Sequence, residues 1–205
     1  MNLRRIHFIT GLTISLFVGI HLFNHAYSIL GADRHIELMT SLRLVYRNAI
    51  AETILILAVL VQMISGLTLF IRRRRQAVTN FDNLQLWTGL YLAVFLTIHL
   101  GAVLVGRLVL NLDTNFYFGV AGLNSFPVNL FFIPYYAFAI ISFFGHIAAI
   151  HSRKMKRAVL GLTPSVQSVI ILALGTCLTI VIFYGLTNHF HGVEIPEEYE
   201  VLVGK

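Results

Sequence analysis

Five long apolar stretches, parted by short polar segments, organise the chain: residues 9–30, 50–71, 86–109, 130–151 and 166–188. Each holds about the 20 residues that a helix needs to cross the hydrocarbon of a bilayer. Backbone groups in hydrocarbon must find partners within their own segment, so such stretches are helical. The pattern predicts an all-α, integral membrane bundle of five transmembrane helices, with residues 1–205 as a single membrane domain. Arg4 and Arg5 precede the first stretch, as in a signal peptide. That stretch is long, however, carries His21, Asn24 and His25, and lacks a small-x-small cleavage site, so it reads as a retained helix.

The polar segments predict an orientation. Arg4 and Arg5, Arg72 to Arg75, and the group Arg153, Lys154, Lys156 and Arg157 share one side of a five-span chain. Asp33, Glu37, Asp113 and the acidic tail from Glu194 to Glu200 share the other. Basic loops stay on the cytoplasmic side, so the N-terminus is expected inside and the C-terminus outside. The expected location is a bacterial inner membrane, in contact with membrane lipids. Four arginines at a helix end snorkel to anionic headgroups, or form a docking surface for a cytoplasmic partner.

Among the connections, Gly31 stops the first helix. Residues 31–49 read as a surface loop with room for a short helix, and residues 111–129 as an interfacial connection. Asn80, Asp82 and Asn83 offer caps for span three. Thr163 caps span five, with Pro164 at its first position. Trp87 is placed as an interfacial anchor.

Composition narrows the function classes. The chain is 57% hydrophobic, with a mean hydropathy of +0.80, which leaves no room for a soluble catalytic domain. The net charge of +6 lies at membrane edges rather than along a groove-sized patch, so no nucleic-acid partner is expected. Cys177 is the single cysteine, which excludes an intrachain disulfide and any iron–sulfur or zinc site built on paired cysteines. It is expected as a small packing residue.

The candidate chemistry lies in the histidines, because an imidazole in hydrocarbon is costly without a partner. His21 is about the thirteenth residue of span one and His99 about the fourteenth of span three. Both spans run the same way, so both residues lie at a depth of roughly 18–20 Å. Equal depth on two helices suits axial ligands on either side of a haem iron. His146 on span four lies roughly 8 Å deep. Its counterpart on span two is Gln62, a poor iron ligand; Met63 is a ligand in kind but sits one residue round the helix. His25, one turn beyond His21, is read as an alternative ligand, a propionate or quinone contact, or a histidine bonded to backbone or water. His7, His35 and His151 are read as surface residues, and His189 and His191 as exposed beyond the last span. Interhelical hydrogen bonding in a haem-free scaffold is the competing reading of the intramembrane histidines.

A set of short motifs carries a resemblance: His21-Leu22, Gly31-Ala32, Tyr46-Arg47, Gln62-x-x-x-Gly66, Thr88-Gly89 with His99 ten residues on, Phe144-x-His146 and Thr163-Pro164. In this order the chain resembles the single-polypeptide, five-helix cytochrome b anchor of succinate dehydrogenase and fumarate reductase. The resemblance implies a b-type cytochrome subunit that transfers electrons between a redox partner and quinone, through one haem b or two. It implies cytoplasmic-side flavoprotein and iron–sulfur subunits, or another membrane redox complex, as partners. His21 and His99 match the haem pair distal to those subunits, and His146 matches one proximal ligand. Gln62 stands where the family has histidine. A mono-haem variant, a subunit of another redox system and a haem-free structural subunit all accommodate that departure. Arg107, with Arg43 and Arg47 behind it, is expected either to meet haem propionates or to snorkel. Glu52, Tyr27 and His25 at one membrane edge, and Gln62 with Ser65 toward the other, are the candidate quinone contacts.

Overall fold

Eight α-helices and two short 3-10 turns make up the structure, a computed structural model that describes residues 2–205. Five helices are long and apolar enough to cross a membrane: α1 (Leu3–Tyr27, continued by a 3-10 turn to Leu30), α3 (Ala49–Arg73), α4 (Asn80–Leu108), α6 (Asn129–Lys154) and α7 (Pro164–Leu186). The chain is therefore a multi-pass helical membrane protein. α1 and α4 begin six residues before the apolar stretches, because polar and basic first turns continue the helix beyond the hydrocarbon, and the other ends agree to within about three residues.

Packing runs in a ring, α1 on α3, α3 on α4, α4 on α6, α6 on α7 and α7 back on α1. Most large apolar side chains of α1 and α3 face outward, as Leu16 (71% exposed) and Ile64 (68%) do. In lipid those faces are solvated by acyl chains, and small and polar residues face inward instead. Buried Ser65, Thr88, Ser142, Ser168 and Thr179 follow that rule. Cys177 lies on the exposed face of α7, not in the packing seam expected for it.

The two ends of the bundle differ. At the basic end, where Arg4, Arg72 to Arg75 and Lys154 lie, the connections are short. Thr79 caps α4 there in a reciprocal capping box with Asp82, one of the three residues expected to cap this span, while Thr79 itself supplies the N-cap. Thr163 caps α7 with Pro164 in the first turn, as the sequence predicts. The opposite end is covered. Gly31, at φ 104°, turns the chain into α2 (Ala32–Tyr46), a fifteen-residue helix where a surface loop with room for a short helix was expected. Residues 111–129 hold α5 (Phe116–Asn124), whose Val120 and Ala121 are fully buried rather than interfacial. The tail folds back through α8 (Glu197–Glu200), and buried Tyr199 donates its hydroxyl to the Asp113 carbonyl at 3.1 Å. This end therefore has a core of its own, in which α5 packs on Leu22, Ile140, Ile182 and Leu186.

Candidate functional site: a histidine-lined cavity through the bundle

The ring of helices surrounds a part-open cavity of about 1010 Å³ that reaches from Arg4 and Arg73 at the basic end to Arg43, Arg47 and Arg107 at the capped end. That is the upper end of the roughly 300–1,000 Å³ of small-molecule and cofactor sites. Its walls are mostly apolar, and histidines supply much of the remainder.

The capped-end lobe holds four histidines. His21 and His99, on α1 and α4, come together as their equal depth suggests, with ring centroids 6.2 Å apart. His99 stacks on Phe95 at 5.1 Å and makes no hydrogen bond to any described residue. His21 stacks on Phe17 and turns its Nε2 to the Nε2 of His25 at 3.1 Å. His25 in turn lies 5.4 Å from the ring of His35. His35, expected at the surface, is instead only 1% exposed, because α2 folds back over α1. Asn24 donates its amide to His35 Nε2 at 3.2 Å, so the proton of His35 sits on Nδ1. That Nδ1, His25 Nδ1 and Asn24 Oδ1 are all buried without a partner. Burial first, and then the nearby Arg43 guanidinium, push the His35 pKa down to about 4.

The mouth of this lobe is a set of paired charges. Arg107 forms a two-pronged contact with Glu52 across α4 and α3. Arg43 donates to Asp113 at 2.8 Å, with Arg47 at 3.7 Å from the same carboxylate. The arginines expected to meet an anionic group thus hold acidic partners, and Glu52 is engaged by Arg107 rather than free. Tyr27 lies beyond the cavity, which its side chain does not line.

The basic-end lobe is organised differently. His7, also expected at the surface, lies inside the bundle between α1 and α3. Gln62 donates its amide to His7 Nε2 at 3.2 Å and accepts from the Thr10 hydroxyl at 2.6 Å. The proton of His7 is thereby on Nδ1, which donates to Ser65 Oγ at 2.9 Å. Across the cavity His146 donates Nδ1–H to the Gln85 carbonyl at 3.1 Å, with Thr88 Oγ1 at 3.3 Å. A carbonyl can only accept, so the lone pair of His146 is on Nε2. His151, expected to be solvated, is half-buried and bonded to Gln167 at 2.8 Å. His189 and His191 are exposed. Met63 lines the cavity and accepts from the Thr97 hydroxyl at 3.3 Å.

The signal for His7 was present in the chain. Positions 7, 11, 14, 18, 21 and 25 repeat at intervals of three and four, so His7 shares the inward stripe of α1 with His21 and His25. Nothing local marks His35, whose burial depends on Asn24 and Phe116 meeting it from other helices.

The residues present fit a haem. An iron midway between two imidazoles, bonded at the roughly 2 Å usual for metal–imidazole bonds, sets ring centroids roughly 6 Å apart. His21 and His99 stand at that separation. Among the described residues no three His, Cys, Asp or Glu side chains are grouped to hold a bare metal ion. The chain matches no family model, no curated protein and no solved structure.

Proposed function

We propose that this multi-pass protein is a membrane b-type cytochrome, similar to the succinate dehydrogenase and fumarate reductase anchor, in which His21 and His99 would hold a haem b. The observation that carries this reading is His99: an imidazole in the interior of an apolar helix, with no hydrogen bond, 6.2 Å from a second imidazole across a cavity. An unpartnered intramembrane histidine is costly, and a ligand removes the cost.

When bound, the haem supplies one-electron transfer between a quinone and a redox partner. The chain's own residues do the rest. Phe17 and Phe95 fix the two imidazole planes by stacking. His25, whose Nε2 meets His21 Nε2 at 3.1 Å, would be free to donate to a propionate or a quinone oxygen when His21 holds the haem. Arg107, Arg47 and Arg43 offer cations to propionates, with Glu52 and Asp113 holding them in place. The α2, α5 and tail segments cover this end of the bundle. Partners of the flavoprotein and iron–sulfur kind fit at the basic end, which the positive-inside rule puts on the cytoplasmic face of a bacterial inner membrane.

A haem-free scaffold is the second reading, and the Thr10–Gln62–His7–Ser65 network favours it, since it ties α1 to α3 with no cofactor. The deciding experiment is a dithionite-reduced minus oxidised spectrum of the purified protein, with haem per chain from the pyridine haemochrome. Low-spin b-type bands, with one haem fewer per chain in His99→Ala, are expected. A colourless protein from haem-replete cells would leave the scaffold.

A further inference from the structure

We infer that the cavity opening at the basic end is a binding site for one anionic membrane phospholipid. Its phosphate would sit on Arg4, Arg73 and Lys154, and an acyl chain would enter the apolar lobe beneath them. The inference goes beyond the cytochrome reading and uses none of the histidines on which that reading rests.

The ring of helices closes unevenly. α1 and α7 meet at the capped end, where Ser28 lies against Gly185. Toward the basic end α7 adds nothing to the cavity wall, since its lining residues are Ile182, Phe183 and Leu186, all near its far end. Phe8 and Leu12 of α1 line the cavity and are nevertheless 50% and 64% exposed. The cavity therefore opens sideways here, between α1 and α6. Leu12 is the fourth residue of the first apolar stretch, so this opening meets acyl chains as well as water. Lys154, the last residue of α6, bridges the gap, with its Nζ 3.9 Å from the centroid of the Phe8 ring. A cation–π contact between exposed groups is weak and leaves the ammonium free to turn to an anion.

The rim carries more cations than it can pair. Arg4, Arg73, Arg153 and Lys154 line it, against the single carboxylate of Asp82. Arg153 is engaged by the Gln85 side chain and by Asp82, 3.7 Å away. Arg4, Arg73 and Lys154 form no ion pair among the described residues. Arg73 is half-buried, and Arg4 and Arg153 are near enough to repel it. It is the only one of the four consecutive arginines that lines the cavity; Arg72, Arg74 and Arg75 are exposed and do not. A phosphodiester accepts paired hydrogen bonds from a guanidinium and relieves the repulsion between such groups.

The residues below the rim decide between a lipid and a free anion. One turn inward of Arg4, Arg73 and Lys154 stand Phe8, Phe70 and Ile150, which line the same cavity. Cations at the membrane edge with apolar side chains one turn deeper match a headgroup and its chain. Basic pockets between helices on the cytoplasmic side take phospholipid headgroups in this way.

The test is native mass spectrometry of the full-length, detergent-solubilised protein with added phosphatidylglycerol or phosphatidylcholine of identical chains. One phosphatidylglycerol per chain is expected to be retained in preference to phosphatidylcholine. Each cation near an anionic lipid is worth about fivefold, so Arg4→Gln with Arg73→Gln should weaken retention about 25-fold. Arg74→Gln with Arg75→Gln should bind as wild type does. Arg73→Lys should bind more tightly than Arg73→Gln, which separates loss of charge from loss of fold. Glycerophosphoglycerol, the headgroup without chains, should not displace the lipid. Equal retention of the two lipids, an equal loss in the Arg74 and Arg75 pair, or displacement by glycerophosphoglycerol overturns the inference and leaves the cytochrome reading standing. The cytochrome reading fails separately, on a haem-free protein.

Discussion

The two lobes of the cavity treat their histidines in opposite ways. At the basic end His7 and His146 each give Nδ1–H to an oxygen acceptor, and glycines clear the space behind the rings. At the capped end His21, His25, His35 and His99 crowd together, and His25 Nδ1, His35 Nδ1 and Asn24 Oδ1 are buried without a hydrogen bond. A buried polar group without a hydrogen bond costs roughly 1–3 kcal/mol in proteins. The basic-end lobe is thus oriented in advance by its neighbours, while the capped-end lobe carries a penalty that something bound between its rings would relieve.

The largest effect that sharpens this contrast is on acid stability, through His35. Its pKa is about 4 in the folded chain against an ordinary 6.5, so the folded state favours the neutral ring. The associated stability is complete above pH 6.5. It is lost as pH falls toward 4, because the unfolded chain takes up the proton first. Between pH 7.5 and pH 5 the loss is about 2 kcal/mol. Thermal melting in detergent at the two pH values should show it, and His35→Gln should abolish that part of the difference. An equal pH response in the variant would remove His35 as the cause.

A smaller pair of effects, opposite in sign, separates the lobes directly. In haem-depleted protein His99→Leu should stabilise by about 1 kcal/mol, because an unpaired imidazole gives way to an apolar side chain of similar size. His146→Leu should destabilise by about 1 kcal/mol, because it strips the Gln85 carbonyl and Thr88 of a partner. In haem-loaded protein both should destabilise. If His99→Leu destabilises the haem-depleted protein as well, the capped-end lobe is satisfied by groups other than a cofactor, and the contrast fails.

The sequence displays this architecture unevenly. The five spans stand out because twenty apolar residues in a row have one physical interpretation, and Thr163-Pro164 marks a helix start by local chemistry alone. The α2 helix is less visible. Its inward positions Ile36, Met39, Arg43 and Tyr46 keep helical spacing, but half of them are polar enough to read as surface. His7 and His35 read as surface residues for different reasons. His7 lies near three arginines in sequence and escapes notice until the stripe through His21 is followed back two heptads. His35 is buried only by the fold of α2 onto Asn24 and His25, a long-range outcome that spacing does not encode. The depth match of His21 and His99 is readable because rise per residue is fixed. Their facing directions are not readable, since those depend on how α1 and α4 rotate in the ring.

The smallest effect concerns Gln62, and it bears on both lobes. In haem-depleted protein Gln62→Leu removes the bonds to Thr10 and His7. Hydrogen bonds between membrane helices average about 0.6 kcal/mol each, so the cost should be about 1 kcal/mol. A double-mutant cycle of Gln62→Leu with His7→Leu should then show a coupling of about 0.6 kcal/mol. That coupling should be unchanged in the haem-loaded protein, because the Thr10–Gln62–His7–Ser65 network ties α1 to α3 without the cofactor. A His7 coupling that vanishes on haem loading would mean that His7 gives up the α1–α3 contact for the cofactor. One that survives means that the two lobes differ in kind, one built for a cofactor and the other for helix packing.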